Sequence, residues 1–262
     1  HCLSSAASDV YKRQINNLLI KLNKIGSVLI LILLAACSGN YNYNNVDYDI
    51  IDINELEDSL INSIIKPYRD SITYNLDKVI GYSEDIYSIT DYGVKNFNST
   101  LGNLVANIIF VQADSIFFDN YNKNIDFVLQ NHGGIRSSLL KGDVKLTDAY
   151  KILPFENEIV VLEISKEVFN EMIHFLKNED LPHPFQGFKI VNDKVILNEY
   201  TKTNDKYFIA TNDYLLSGGD NMFFLKENSK TYWLGYSLRD AFIDYIIKNK
   251  NLSSKIDDRF IK

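Results

Sequence analysis

One continuous stretch, residues 126–164, constrains the fold of this chain more than any other. A strand-like run enters a glycine turn that reads NHGGIR at 131–136, and a second strand-like run leaves a proline turn that reads PFEN at 154–157. Glycines let the backbone approach a ligand closely, and proline stiffens the turn in which it stands. A second glycine turn, ATNDYLLSGGD, follows far downstream at 210–220. We predict that the two turns meet at the edge of a sheet and form one pocket.

The spacing of apolar residues predicts helices and strands in mixed order. From Ile53 to Val79 they recur every three or four positions, which indicates a long amphipathic helix with its cap at Asp52 and its end at Gly81. We expect a further helix that begins at Ser99, helices capped by Thr147, Ser165 and Ser237, an alternating strand at 158–164, further strands at 126–130 and 188–199, and a last strong strand at 207–211. The expected fold class is α/β, more closely α+β, with mixed β-sheets layered with helices.

The composition and net charge limit the kinds of partner that the protein can bind. Hydrophobic residues make up 46% of the chain and charged residues 23%, which is typical of a globular protein. The formal net charge is −7, whereas binding to a phosphate backbone needs a basic surface. We therefore expect no nucleic acid partner.

The N-terminal region divides into segments that we expect to lie outside the fold. Residues 1–14 resemble translated vector or adapter sequence, and a native polar leader is the alternative. We interpret 15–36 as a lipoprotein signal peptide and the Asn- and Tyr-rich residues 37–52 as a flexible tether. The folded domain is expected to span 53–262.

The signal-peptide prediction depends on a basic and apolar pattern followed by cysteine. Lys21 and Lys24 precede an apolar run that ends in LAAC, and the run is shorter than the roughly 20 residues that span a bilayer. The ending resembles the lipobox of bacterial lipoproteins, which implies that Cys37 carries the lipid; a simple signal peptide with a coincidental cysteine is the alternative. The expected location is the bacterial cell envelope, periplasmic or surface-facing, with membrane contact through the lipid anchor only.

The sequence lacks the motifs of several kinds of hydrolytic site. The four histidines are scattered, at His1, His132, His174 and His183, and neither an HExxH nor a CxxC motif occurs. A two-metal site needs several such ligands held together, and nucleophile-elbow and phosphate-loop motifs are also absent from the sequence. We therefore predict no catalytic residue, no metal ligand and no cofactor in this chain.

The two turns do contain groups that suit a planar, polar ligand. Phe155 and Tyr214 could stack on a base, Arg136 could bind a phosphate or ribose oxygen, and Asp220 could accept hydrogen bonds from ribose hydroxyls. Each group also has a plainer interpretation: the rings as core aromatics, the arginine as a surface charge, and the second glycine pair as a hairpin turn. The residues alone leave these alternatives open.

Six fragments in order resemble the C-terminal domain of the 5′-nucleotidase family, which includes UDP-sugar hydrolases and cyclic phosphodiesterases. They cover the chain from about Ile53 to its end: TLGNLVAN, NHGGIR, GDVKLTDAY, LPFENEIV, QGFKI and TNDYLLSGGD. The resemblance implies a domain that holds the nucleoside, while a separate metallophosphatase domain holds two metal ions. It thus implies divalent metals in a partner chain.

The resemblance also implies a role for each matching residue. Phe155 and Tyr214 correspond to the two stacking aromatics, although phenylalanine is usual at the second position. The other expected substrate-binding residues are Asn131, Gly134, Arg136, Asn157, Gly187 and Asp220. The family often has arginines before the LGNL helix, where this chain has Lys95.

These observations favour a nucleoside- or nucleotide-binding component of a 5′-nucleotidase-type hydrolase that lacks its own metallophosphatase domain. One alternative is a non-catalytic lipoprotein that captures nucleosides. Another is a domain retained only as an interaction surface.

Overall fold

The structure is a computed structural model that describes residues 13–24, 26, 58–93, 95–198, 201, 205–253 and 257–262. The chain divides into two compact units, His1–Glu57 and Asp58–Lys262. In the first unit, residues 13–24 form helix α1, whose side chains are exposed. Cys37 and the expected cap at Asp52 lie outside the described residues.

The second unit combines helices and strands in mixed order, so the predicted fold class is confirmed. Its helices are α2 Ser59–Leu76, α3 Thr100–Tyr121, α4 Leu146–Ile152, α5 Lys166–Asn178, α6 Asp213–Leu216 and α7 Leu238–Asn249. Its strands are β1 Val79–Ser83, β2 Phe127–Leu129, β3 Gly142–Lys145, β4 Glu158–Ser165, β5 Phe185–Gln186, β6 Phe188–Val191, β7 Lys194–Leu197, β8 Lys206–Asn212, β9 Lys230–Ser237, β10 Asn251–Leu252 and β11 Phe260–Ile261. Short 3₁₀ turns occupy His132–Gly134, Gly219–Asn221 and Phe223–Glu227.

A five-stranded sheet lies at the centre of this unit, in the order β5-β2-β8-β4-β9. Strand β2 is parallel to β8, whereas the pairs β5–β2, β8–β4 and β4–β9 are antiparallel. Two three-stranded sheets, β10-β1-β3 and β11-β6-β7, complete the fold. Because β2 and β8 are parallel neighbours, their carboxyl ends lie side by side, and both predicted turns begin there.

Both faces of the central sheet are buried. Ile159 and Val161 of β4 pack in a core that includes α3 and α7, whereas Val160 and Leu162 pack in a second core that includes α5. The strand predicted at 158–164 is confirmed as β4, but its burial does not alternate. Successive side chains point to opposite faces, and here each face meets a core.

Three predicted helix starts are confirmed by their caps. The hydroxyls of Ser99, Ser165 and Ser237 accept hydrogen bonds from the backbone N–H groups of Gly102, Val168 and Asp240, respectively. The fourth cap differs, since α4 begins at Leu146 and its N-cap is Lys145 rather than Thr147. In the described part of the chain only α3 has the length and hydropathy of a membrane-spanning helix, and it is the central core helix, with Leu101, Ala106 and Phe117 fully buried.

The first helix of the domain is shorter than its apolar pattern predicts. Helix α2 begins after Asp58, whose carboxylate accepts from the N–H of Leu60 at 2.8 Å, and it ends at Leu76. Gly81 does not end the helix but lies in β1, where a Cβ would stand 2.5 Å from the Ile246 Cγ2 atom of α7. None of the residues of α2 is buried, and Leu60, Ile64 and Tyr68 of its apolar face are exposed.

Strands β1, β3, β9, β10 and β11 were not predicted from the sequence, and β9 is the longest of them. Strand β9 pairs with β4 at the edge of the central sheet, so the run from Tyr207 is not the last strong strand. Its glycine and exposed aromatic residues, in KTYWLGYS, obscure the alternation that would mark it.

Candidate functional site

The first turn follows directly from β2. The backbone changes from a strand at Leu129 to the 3₁₀ turn His132–Gly134, and buried Asn131 packs against this turn. A Cβ at Gly134 would lie 2.9 Å from Asn131 Oδ1, so a larger residue would push the amide aside. Arg136 Nη1 donates to the carbonyl of Gly133 at 3.3 Å, which holds the exposed guanidinium beside the turn.

A buried arginine of α7 binds the PFEN turn from inside the domain. Arg239 Nη1 donates to the carbonyl oxygens of Leu153 and Pro154, each at 3.2 Å. The guanidinium carbon lies 4.2 Å from the centroid of the Tyr150 ring, and Nη2 donates to Glu156 Oε1 at 3.3 Å. Arg239 therefore positions the turn that presents Phe155.

The second turn follows β8 and depends on a left-handed backbone. Gly218 has φ 88° and Asp220 has φ 48°, a region that is costly for a residue with a side chain. Tyr214 Oη donates to Asp220 Oδ1 at 2.9 Å and accepts from the Asp220 N–H at 3.3 Å. A Cβ at Gly219 would stand 2.4 Å from the Tyr214 ring, so only glycine leaves room for this arrangement.

The two turns line one cavity of about 330 Å³. A Cβ added to Gly133 would lie 3.9 Å from Asp220 Oδ2, which shows how closely the turns approach. Seven of the eight predicted substrate-binding residues line this cavity, together with Gly133: Asn131, Gly134, Arg136, Phe155, Asn157, Tyr214 and Asp220. Phe155 is 49% exposed and Tyr214 43% exposed, so neither ring belongs to the core.

The eighth residue, Gly187, lies outside this cavity. It stands between β5 and β6 with φ 102°, and a Cβ there would lie 2.2 Å from the carbonyl oxygen of Asp126. The backbone just before β2 passes so close to Gly187 that only glycine fits there. Lys95 is exposed and does not line the cavity either.

A buried histidine packs against the first turn, within the electrostatic influence of Asp220 in the second. His183 Nδ1 accepts from the backbone N–H of His132 at 3.3 Å. Burial lowers the pKa of His183 to about 4, although the negative charge of Asp220 opposes this shift. Burial likewise lowers the pKa of His132. The hydrogen bond to Asp220 raises the pKa of Tyr214, because ionisation of the phenol would place a second negative charge beside the carboxylate.

The described residues do not fit a metal centre. Within the described part of the chain, no three His, Cys, Asp or Glu side chains lie together as potential ligands. The chemistry that the cavity offers is recognition: two exposed rings, an arginine and a carboxylate of opposite charge, and amide groups. We assign no hydrolytic step to these residues.

Several residues that shape the site were missed in the sequence. Arg239, His183 and Asn212 act through contacts with distant segments, so no local pattern marks them. The sequence marks Gly218 and Gly219 as a turn of the pocket, with a hairpin turn as the alternative. The alternative does not hold, since the two glycines lead into a 3₁₀ turn against the ring of Tyr214.

Residues 79–227, more than half of the chain, match the protein family described as 5′-nucleotidase, C-terminal domain. A trifunctional nucleotide phosphoesterase protein, YfkN of Bacillus subtilis, is 25% identical over 206 residues, which are 69% of this chain and 13% of that protein. The NAD 5′-nucleotidase of Haemophilus influenzae is 28% identical over 127 residues, which are 38% of this chain and 21% of that protein.

Solved structures share the fold. A 5′-nucleotidase precursor from Thermus thermophilus superposes with a TM-score of 0.62 at 22% identity, over 78% of this chain and 43% of that one. The Haemophilus influenzae NAD nucleotidase gives a TM-score of 0.56 at 17% identity, over 78% of this chain and 41% of that one. The present chain thus spans less than half of these structures and a smaller share of the curated relatives above.

Proposed function

Because the chain belongs to the family of 5′-nucleotidase C-terminal domains, we propose that it binds the nucleoside part of a nucleotide in the cavity between its two turns. The observation that carries the proposal is the exposure of Phe155 and Tyr214 at one cavity. Half-exposed rings at a concave site keep apolar surface in contact with water, and a flat ligand that covers them would remove that surface from water. A base between them would gain about 1–3 kcal/mol per stacking contact.

The polar groups of the cavity match the rest of a nucleotide. Asp220, already bound to the Tyr214 hydroxyl through Oδ1, has a second oxygen that could accept from a ribose hydroxyl. Arg136 carries the positive charge of the cavity and would bind a phosphate or ribose oxygen. The cavity volume of about 330 Å³ lies at the lower end of the range for small-molecule sites.

Hydrolysis, on this proposal, uses divalent metals that another domain or chain supplies. The described residues do not fit a metal centre. The partner would be a metallophosphatase, and this chain would present the nucleotide to it without a cofactor of its own.

The proposal is tested by calorimetric titration of the purified chain with adenosine, guanosine, cytidine, uridine and AMP, followed by an assay for phosphate release with Mg²⁺, Mn²⁺ or Zn²⁺. We expect binding of at least one nucleoside and no release of phosphate by the chain alone. Absence of binding across the whole panel contradicts the site. Robust metal-dependent release by the pure chain contradicts the division of labour.

We further propose that Cys37 carries lipid and anchors the chain in a bacterial cell envelope, facing the periplasm or the surface. The supporting feature is the LAAC sequence after the apolar run. Intact mass of the mature protein should show a lipid-modified N-terminal cysteine, and Cys37→Ser should move the chain from the membrane fraction to the soluble fraction. An unmodified Cys37 would contradict this assignment.

A further inference from the structure

The side chain of Gln130 lies buried at the end of β2, only 2% exposed. Its Oε1 atom accepts from Asn212 Nδ2 at 2.7 Å. The orientation of the Asn212 amide is determined in turn, because its Oδ1 atom accepts from the N–H of Leu215 at 2.9 Å and caps α6. Gln130 must therefore direct its Nε2 group away from Asn212.

Gln130 lines a small cavity of about 10 Å³ next to the main one. The two cavities share four lining residues: Asn131, Gly134, Phe155 and Asn157. Gln130 Nε2 is completely buried, and within the described part of the chain no protein atom accepts a hydrogen bond from it. A buried donor without an acceptor costs free energy, which binding of an acceptor would recover.

We propose that Gln130 is a specificity-determining residue that selects bases with a hydrogen-bond acceptor at their inner edge. The inference rests on the proposed function, since it assigns the deep end of the same site. The small cavity has the size of one water molecule, and Asn131 and Asn157 supply further polar partners. An acceptor atom of the base edge that enters this cavity accepts from Gln130 Nε2, whereas a donor there would face a second donor and leave both unpaired, so a base edge that presents only donors is disfavoured.

This role differs from that of the groups already assigned. Phe155 and Tyr214 can stack on any base, and Asp220 and Arg136 can bind ribose or phosphate of any nucleotide. Gln130 alone among these contributes a donor whose direction is set by a chain of hydrogen bonds to the second turn. The same chain joins the end of β2 to the cap of α6, so ring position and base selection are linked.

The first test measures affinities of the full chain for adenosine, guanosine, cytidine and uridine by calorimetry. Gln130→Glu keeps the acceptor for Asn212 and removes the donor, and Gln130→Met removes both. We expect the affinities of the wild type for its best and worst nucleoside to differ by at least about tenfold. The variants should reduce that difference or change the order of the four affinities. Gln112→Met, which alters a glutamine of α3 that bonds the carbonyl of Ala241, is the matched control.

A second measurement needs no substitution. The side-chain amide protons of Gln130, assigned by NMR, should shift on saturation with the best-bound nucleoside, while those of Gln112 stay in place. Unshifted Gln130 protons, or folded variants with all four affinities within about twofold of the wild type, overturn the inference. A wild type that binds no nucleoside overturns the proposed function itself, which is a separate outcome.

Discussion

The PFEN turn, residues 154–157, and the second glycine turn, residues 210–220, each present one aromatic ring to the same cavity but hold it by different means. Phe155 stands on backbone carbonyls that the buried Arg239 binds from inside the domain. Tyr214 is held by the exposed Asp220 carboxylate and by the absence of a side chain at Gly219. The position of Phe155 therefore depends on buried hydrogen bonds, and the position of Tyr214 depends on backbone conformation.

Because of this difference, substitutions at the two turns should affect different quantities, the free energy of unfolding in one case and the ligand affinity in the other. Loss of the Arg239 contacts under the PFEN turn leaves polar groups unpaired inside the domain, so it should lower the free energy of unfolding. Damage at the second turn affects groups that water can reach, so it should change ligand affinity while the fold survives. The following changes test the contrast.

Replacement of Arg239 should have the largest effect. Arg239→Met leaves the carbonyls of Leu153 and Pro154 without their donor and should lower the free energy of unfolding by about 2–4 kcal/mol, with weaker nucleoside binding. Urea denaturation followed by circular dichroism measures the first effect and calorimetry the second. The control is Glu156→Gln, because Glu156 is 88% exposed and its ion pair should contribute about 0.5 kcal/mol or less. Equal effects of the two variants would refute the assigned support.

His183, which contacts the first turn and senses the charge of the second, should make stability depend on pH. Its pKa is about 4 in the folded state and near the ordinary value of 6.5 in the unfolded chain. The unfolded chain therefore binds more protons between these values, and stability falls as the pH drops from 6.5 towards 4, by up to about 3 kcal/mol.

Denaturation at several pH values checks this dependence. His183→Gln should reduce the slope between pH 6.5 and 4 and leave the smaller part that the lowered pKa of His132 contributes. His174→Gln, at an exposed position of α5, should retain it. A wild-type slope that survives in His183→Gln would assign the pH dependence to other groups.

Removal of either ring tests the cavity from both sides. Phe155→Ala and Tyr214→Ala should each weaken nucleoside binding by about 1–3 kcal/mol and change stability by less than about 1 kcal/mol, since both rings are half-exposed. Phe118→Ala, at a ring of α3 that is 48% exposed and does not line the cavity, should leave binding unchanged. Unaltered affinity in both cavity variants would remove the rings from the binding site.

The smallest expected effect concerns the phenol of the second turn. Tyr214→Phe keeps the ring but removes the hydrogen bond to Asp220, so nucleoside binding should weaken by about 1 kcal/mol or less. Tyr236→Phe removes a similar bond to Asp244 away from the cavity and should have no effect on binding. A loss in Tyr214→Phe as large as in Tyr214→Ala would show that the hydroxyl, rather than the ring, contributes the affinity.

Local signals in the sequence determined much of this protein. The caps at Ser99, Ser165 and Ser237 were predictable because a cap bonds a backbone group three residues away. The ordered motifs predicted the family, and seven of the eight predicted site residues lie together at one cavity. Two of the turns follow the parallel strands β2 and β8, and the PFEN turn precedes β4, whose start pairs with the end of β8. The lipid site at Cys37 stays a prediction.

Only the tertiary structure decided how distant segments meet. The burial of β4 on both faces, the position of Gly81 against α7 and the pairing of β9 depend on contacts between residues far apart in the chain. The apolar period of α2 predicted a buried face, yet periodicity reports which side chains share a face and not whether a partner covers it. Arg239 and Gln130 were invisible for the same reason, since an arginine or a glutamine acquires its role from the atoms that the fold brings around it.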